Sequence, residues 1–260
     1  YGEDTDDELD GRAIFGDNDL IEASGSETVR GGIGNDDLTL TEQSTGLGGV
    51  GNDTLEAFDD ATGYGLAGND QLVGWDNATI MGGDGNDLLS GADDARAWGG
   101  AGDDRLFIYG DAVAYGGAGD DRLFTNGDAV AYGDAGDDWL IGAGNAVLDG
   151  GTGEDTLIAA NPPSGDFLTE ATGGAGSDLF VIGDVRFGAT TGDQIYTSTP
   201  MVITDFDPAQ DQLGIVADPR ILSGLEIVQS YSATLGVTTV QLRDTSDYNT
   251  VAAFTLQGQH

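Results

Sequence analysis

GGAGDDRLFIYGDAVAY, residues 99–115, is one unit of a pattern that returns every seventeen residues. Its glycine-rich part recurs as GGIGND at Gly31, GGVGND at Gly48, GLAGND at Gly65 and GGDGND at Gly82. It continues as GGAGDD at Gly99 and Gly116, GDAGDD at Gly133 and GGTGED at Gly150. Eight consecutive units in strict register are a solenoid signature. Each unit divides into GGAGDDRLF (99–107) and IYGDAVAY (108–115). Each half reads as a turn followed by a short strand. One unit is then one flattened coil, and the predicted fold is all-β, a parallel β-roll or β-solenoid with seventeen-residue coils.

Side chains alternate across a strand, so the inward positions can be read off. After each motif aspartate comes an exposed residue and then Leu38, Leu55, Leu72, Leu89, Leu106, Leu123, Leu140 or Leu157. (Leu88 competes with Leu89, but strict register selects Leu89.) In the second half Ala61, Ala78, Ala95, Ala112, Ala129 and Ala146 face in. Two positions on, Ile80, Ala97, Ala114, Ala131 and Leu148 do the same. Leucine against alanine makes a thin core, and apolar burial stabilises by only about 25 cal/mol per Å². Something else must hold the coil.

The motif itself supplies it. Glycine permits positive φ and lets carbonyl oxygens crowd together, and the sixth position adds a carboxylate. These are Asp36, Asp53, Asp70, Asp87, Asp104, Asp121, Asp138 and Asp155, with a later copy at Asp178 in GGAGSDLFV. A hard cation that takes about 6–8 oxygens, calcium, fits between stacked turns of this kind. Hairpin turns alone would not keep a glycine at the fourth place of every unit.

These residues resemble the calcium-binding nonapeptide repeats of the RTX (hemolysin-type) proteins, over roughly Gly31 to Ile182. The resemblance implies several calcium ions in a column, bound by the motif aspartates and by loop carbonyls of neighbouring turns. The carbonyls fall around Gly32, Gly34, Gly49, Gly51, Gly83, Gly85, Gly100, Gly102, Gly117, Gly119, Gly136, Gly151 and Gly153. The second half of each coil departs from the family, since xxGDAVAY lacks the double glycine. Its turn column (Asp60, Asn77, Asp94, Asp111, Asp128, Asn145) is expected to form a ladder that is weak in ions or free of them. After the repeats, MVITDFDPAQDQLGIV resembles the family's capping region. Asp205, Asp207 and Asp211 there complete the last ion site or are solvated loop acids. AANPPSGDF (159–167) lengthens one turn by six residues and reads as a surface loop. From about Leu225 the pattern predicts three antiparallel strands that close the coil's open end. The expected division is 1–30 as degenerate N-terminal coils, 31–182 as the calcium-binding roll and 183–260 as the C-terminal capping β region. GEDTDDELDG after Tyr1 is motif-like but out of register, and reads as the start of a mature fragment.

Composition limits the function. Forty-seven acidic against 8 basic residues give a formal charge of −39, which opposes nucleic acid and an anionic membrane surface. No apolar run approaches the roughly 18 residues of a membrane span. There is no cysteine, and the single histidine is His260. No HExxH, GxSxG or Walker motif is present, so no catalysis is expected within this chain. The outward file Tyr64, Met81, Trp98, Tyr115, Tyr132 is either a cross-turn ladder that stabilises the sheet or a contact face for another copy or a partner. Arg105 with Phe107 and Arg122 with Phe124 relieve Asp103 and Asp120 or meet an acidic neighbour. The threonine file Thr28, Thr45, Thr62, Thr79 follows from β propensity. The RTX resemblance implies type I secretion and an extracellular or cell-surface place, with folding on meeting calcium outside. The expected role is structural or at the surface, self-assembly included. The alternatives are the secretion and folding module of a larger exoenzyme (protease, lipase or alginate-modifying) and a polysaccharide-binding adhesin segment.

Overall fold

The computed structural model describes residues 18–160, 168–183, 201–207, 209–216, 225–232, 237–244 and 250–257. Among the described residues every regular element is a strand and none is a helix. The strands alternate between two sheets. One has eleven strands in consecutive parallel order, from Leu20–Ala23 to Gln212–Val216. The other runs parallel from Thr28–Ile33 to Met201–Ile203 and has thirteen strands in all. The chain is therefore a parallel β-solenoid of about eight regular coils. The register is the sequence period made visible: Leu106 lies beside Leu89 and Leu123, and Ala114 beside Ala97 and Ala131.

The inward columns are buried as the alternation requires. All eight leucines from Leu38 to Leu157, Leu89 among them, have no exposure, nor do the alanines from Ala61 to Ala146. Leu88 points outward. Size is matched across the core. A Cβ on Gly46 would stand 2.7 Å from both methyls of Leu40, and one on Gly74 would stand 3.3 Å from Ile80. A small residue on one sheet leaves room for a large one on the other, which keeps a thin core close-packed.

One boundary differs from the sequence reading. The double glycine closes a strand instead of opening a turn: Arg96–Ala101 contains Gly99 and Gly100, and the turn follows at Gly102. Pairing survives there because Gly100 bridges to Gly83 and Gly117 although its φ is positive. Ahead of Gly31, in the stretch read as degenerate coils, a strand is already in place. Leu20–Ala23 already pairs in register with Asp37–Leu40, held by the N–H of Asp19 donating to Oδ1 of Asp36 at 2.8 Å. That bond needs an aspartate at the right height and no glycine. The motif-like stretch 2–11 lies outside the described residues.

The six-residue insertion is absorbed without loss of register. Val147 pairs with Glu170 and Leu148 with Ala171, twenty-three positions apart instead of seventeen. Most of the predicted surface loop, 161–167, lies outside the described residues. Past the coils, Leu225–Ser232, Val237–Asp244 and Thr250–Gln257 pair antiparallel, and the last of them joins Met201–Ile203 in parallel.

Candidate metal centre

The motif aspartates form a buried column along one edge of the coil. Each reaches back one coil. Oδ1 of Asp104 accepts from the backbone N–H of Asp87 at 2.7 Å, and Oδ1 of Asp121 from that of Asp104 at 2.7 Å. The rungs continue from Asp36 through Asp53, Asp70, Asp138 and Asp155 to Asp178. The fifth motif position makes a second ladder that climbs the other way. Oδ1 of Asn52 accepts from the N–H of Asn69 at 2.9 Å, and Oδ1 of Asp103 from that of Asp120 at 3.0 Å. The sequence reading missed this role. Its signal was there, because Asn35, Asn52, Asn69, Asn86, Asp103, Asp120 and Asp137 keep an Asx side chain where only that length reaches one coil up.

The other carboxylate oxygen points to a ligand. Oδ2 of Asp36, Asp53, Asp70, Asp87, Asp104, Asp121, Asp138 and Asp155 is buried and has no hydrogen-bond partner. An unpaired buried carboxylate oxygen is costly unless a proton or a cation meets it. Each lies under the first glycine of its own motif. A Cβ on Gly99 would collide with Oδ2 of Asp104 and stand 2.5 Å from the carbonyl oxygen of Gly116 in the next coil. Carboxylate and carbonyl oxygens thus converge where a side chain is forbidden.

The predicted carbonyl donors sit in the same loops with positive φ. Gly32, Gly34, Gly49, Gly51, Gly83, Gly85, Gly100, Gly102, Gly117, Gly119, Gly136, Gly151 and Gly153 all have φ between 103° and 149°. Leu66 and Asp134 occupy second positions with φ of 85° and 73°, where glycine is the relaxed choice. Among the described residues no three His, Cys, Asp or Glu side chains cluster to hold a metal. What each coil offers at this edge is one carboxylate oxygen near backbone carbonyl oxygens, chemistry that suits a hard cation such as calcium and no thiol- or imidazole-seeking metal.

Burial raises the pKa of these carboxyl groups, and neighbouring carboxylates raise it further, against the lowering effect of the backbone bond. Asp53 and Asp70 rise from 3.8 to about 6, Asp104 to about 7 and Asp121 to about 8. Asp138 rises to about 6 and Asp155 to about 7, while Asp36, Asp87 and Asp178 are also raised. The folded, metal-free column thus holds protons more tightly than the unfolded chain. Its stabilising share is full below pH 3.8 and is lost as pH climbs through about 6 to 8. In EGTA, far-UV circular dichroism is expected to show β content growing as pH falls from 8 to 5. A β signal that shrinks over that range would contradict the burial of the column.

Asp205 and Asp211 are occupied differently. Asp205 accepts from the N–H groups of Gly173 and Gly174 at 2.9 and 2.7 Å. Asp211 takes the next rung of the column, accepting from Asp178 N–H at 3.1 Å, and its second oxygen accepts from Asp207 N–H at 2.7 Å. Both carboxylates are engaged by backbone donors, unlike the eight with a free oxygen. In the opposite turn column Asp59, Asp76 and Asp93 hold positive φ and stay exposed. Of the expected ladder the described residues show rungs at Asn145, whose Nδ2 donates to Oδ1 of Asp128 at 2.8 Å and whose Oδ1 accepts from the N–H of Leu168 at 3.1 Å.

The outward file stands as a stack. Trp98, Tyr115 and Tyr132 have ring centroids 5.2 and 4.9 Å apart and planes within 9° of parallel. Tyr64 and Met81 continue it in register. Each inner ring spends both faces on its neighbours and offers outside only an edge, whereas a sugar stacks on a free face. Phe107 and Phe124 stack likewise, and the Arg122 guanidinium lies 5.9 Å from the Trp139 ring centroid. Neither Arg105 nor Arg122 forms an ion pair among the described residues.

Comparison with known proteins agrees with this geometry. The model of the RTX calcium-binding nonapeptide repeat matches four copies, over residues 73–95, 96–107 and 125–157. No curated protein matches the chain.

Proposed function

Since the chain carries RTX calcium-binding nonapeptide repeats, we propose that it is a secreted β-roll that folds on calcium and serves a structural or surface role. The observation that supports this is the row of eight buried carboxylate oxygens without a partner. When bound, calcium supplies positive charge and a site for six to eight oxygens. The chain's own residues do the rest. Oδ2 of each motif aspartate and the carbonyls of the positive-φ glycines hold the ions, while Oδ1 stays on the neighbouring coil's N–H. One ion column follows, because the opposite turns keep their carboxylates exposed. Asp178 ends the column, and Asp205 and Asp211 seal it by capping backbone donors. The antiparallel strands from Leu225 cover the last coil as a cap.

Export follows the same logic. A chain that is loose at low cytosolic calcium passes a type I secretion channel and folds outside, where calcium is millimolar. The repeat is a calcium-binding unit, not a catalytic one. The occupied ring faces weigh against a sugar-binding role for the aromatic file.

Equilibrium dialysis at neutral pH tests the reading. About one calcium ion per adjacent pair of coils is expected, taken up cooperatively. Magnesium in excess is expected not to displace it, since Mg²⁺ demands a small octahedral site and keeps its waters. No bound calcium, or displacement by equal magnesium, would overturn the reading.

A further inference from the structure

The outer face of the thirteen-stranded sheet has an order that its stacking alone does not require. Six apolar side chains, Leu47, Tyr64, Met81, Trp98, Tyr115 and Tyr132, stand in one file on successive strands. Arg30 comes directly before the first and Asp149 directly after the last. Neither has an ion-pair partner among the described residues. Ile33, Val50 and Leu66, on the first three of these strands, are 60%, 58% and 40% exposed, so apolar surface continues beside the file.

Invert this face onto itself, with the two-fold axis along the strands between Met81 and Trp98. Met81 then meets Trp98, Tyr64 meets Tyr115, Leu47 meets Tyr132, and Arg30 meets Asp149, twice. In the neighbouring file Thr28, Thr45 and Thr62 fall on Val147, Val130 and Val113, and Thr79 falls on Arg96, whose guanidinium has a hydroxyl opposite it and no cation directly facing it. The face's other carboxylates, Asp84 and Asp134, fall on Ala101 and Gly49, so no carboxylate meets another. The alternative, with both coils pointing the same way, puts Arg30 on Arg30 and Asp149 on Asp149. Charge thus selects one orientation and penalises the other.

We propose that this face is an isologous docking surface for a second copy of the chain, with the two coils antiparallel and Arg30 paired across the interface with Asp149. Eight strands at about 4.8 Å and six residues at about 3.3 Å give a patch of roughly 34 by 20 Å. That is on the order of 700 Å² per copy, close to the about 800 Å² per partner of a standard interface. The pairing is closed, so it ends at a dimer. It rests on the calcium-folded roll proposed above.

The test is sedimentation equilibrium of the full chain in millimolar calcium, with circular dichroism in the same buffer. The wild type is expected to be a dimer. Arg30→Asp and Asp149→Arg, each alone, are expected to fold and to weaken association at least tenfold. An equimolar mixture of the two variants is expected to recover the dimer, because each then supplies the charge the other lacks. A folded wild-type monomer leaves the face to some other occupant and overturns this proposal alone. So does a dimer indifferent to both reversals, or a mixture that stays monomeric. A chain that calcium does not fold overturns the calcium reading and this one with it.

Discussion

Stripped of calcium by EGTA at pH 7.5, the chain is expected to sediment as an expanded monomer, and to become compact when millimolar calcium returns. The motif carboxylates repeat at the strand spacing, about 4.8 Å. At an effective dielectric near 20, two charges at that distance repel by about 3 kcal/mol. A row of such neighbours rivals the whole net stability of a domain, about 5–15 kcal/mol. The core offers little to set against it, because much of it is alanine, with buried glycines such as Gly46, Gly74 and Gly91 beside it. Protons relieve only part of the strain at this pH, since Asp53, Asp70 and Asp138 lose theirs near pH 6. Under the proposed reading calcium would relieve the rest by meeting the unpartnered Oδ2 atoms. Sedimentation velocity reads the change directly. Equal frictional ratios with and without calcium would remove the ion from any part in folding.

The second large effect comes from one methyl group. Gly99→Ala is expected to destabilise the calcium-loaded coil by about 3 kcal/mol, and Gly91→Ala to leave it unchanged or stabilise it by about 0.5 kcal/mol. Both glycines are buried strand residues without positive φ. At Gly91 a Cβ would rest 3.4 Å from Ile108 and 3.7 Å from Ala95, which is ordinary contact. At Gly99 it would occupy the space of the Asp104 carboxylate and press on the Gly116 carbonyl. It therefore displaces the oxygens proposed to hold the ion, and calcium affinity is expected to fall with stability. Calcium titrations followed by circular dichroism on both variants decide the matter. Equal midpoints would show that the space under the first glycine has no part in binding.

Much of this was legible in the sequence because a solenoid reads its residues by height. Leu106 has to be buried once Leu89 and Leu123 are, and a six-residue insertion shows at once as a shift from seventeen to twenty-three between motif aspartates. The fifth-position ladder was harder to see. Asparagine beside glycine reads as turn chemistry in any protein, and only the geometry shows Asn52 reaching the next coil's backbone. Asp205 and Asp211 were ambiguous because they stand thirty-one to thirty-three positions from the donors they meet. No period carries that distance. Before Gly31 the pattern is faint for the opposite reason: the rung from Asp19 to Asp36 uses a backbone donor, which every residue type except proline supplies.

The two opposed ladders have a consequence for how such a chain changes over generations. Each coil accepts from the coil below with one side chain and from the coil above with another, and it asks nothing of coils further off. A copied or deleted seventeen-residue unit therefore leaves every remaining bond intact. The pairing of Val147 with Glu170, twenty-three positions on instead of seventeen, shows that a coil can carry six added residues and keep its register. Length becomes an inherited variable that moves in steps of about 4.8 Å, and the molecule is a ruler whose graduations can be added or removed one at a time.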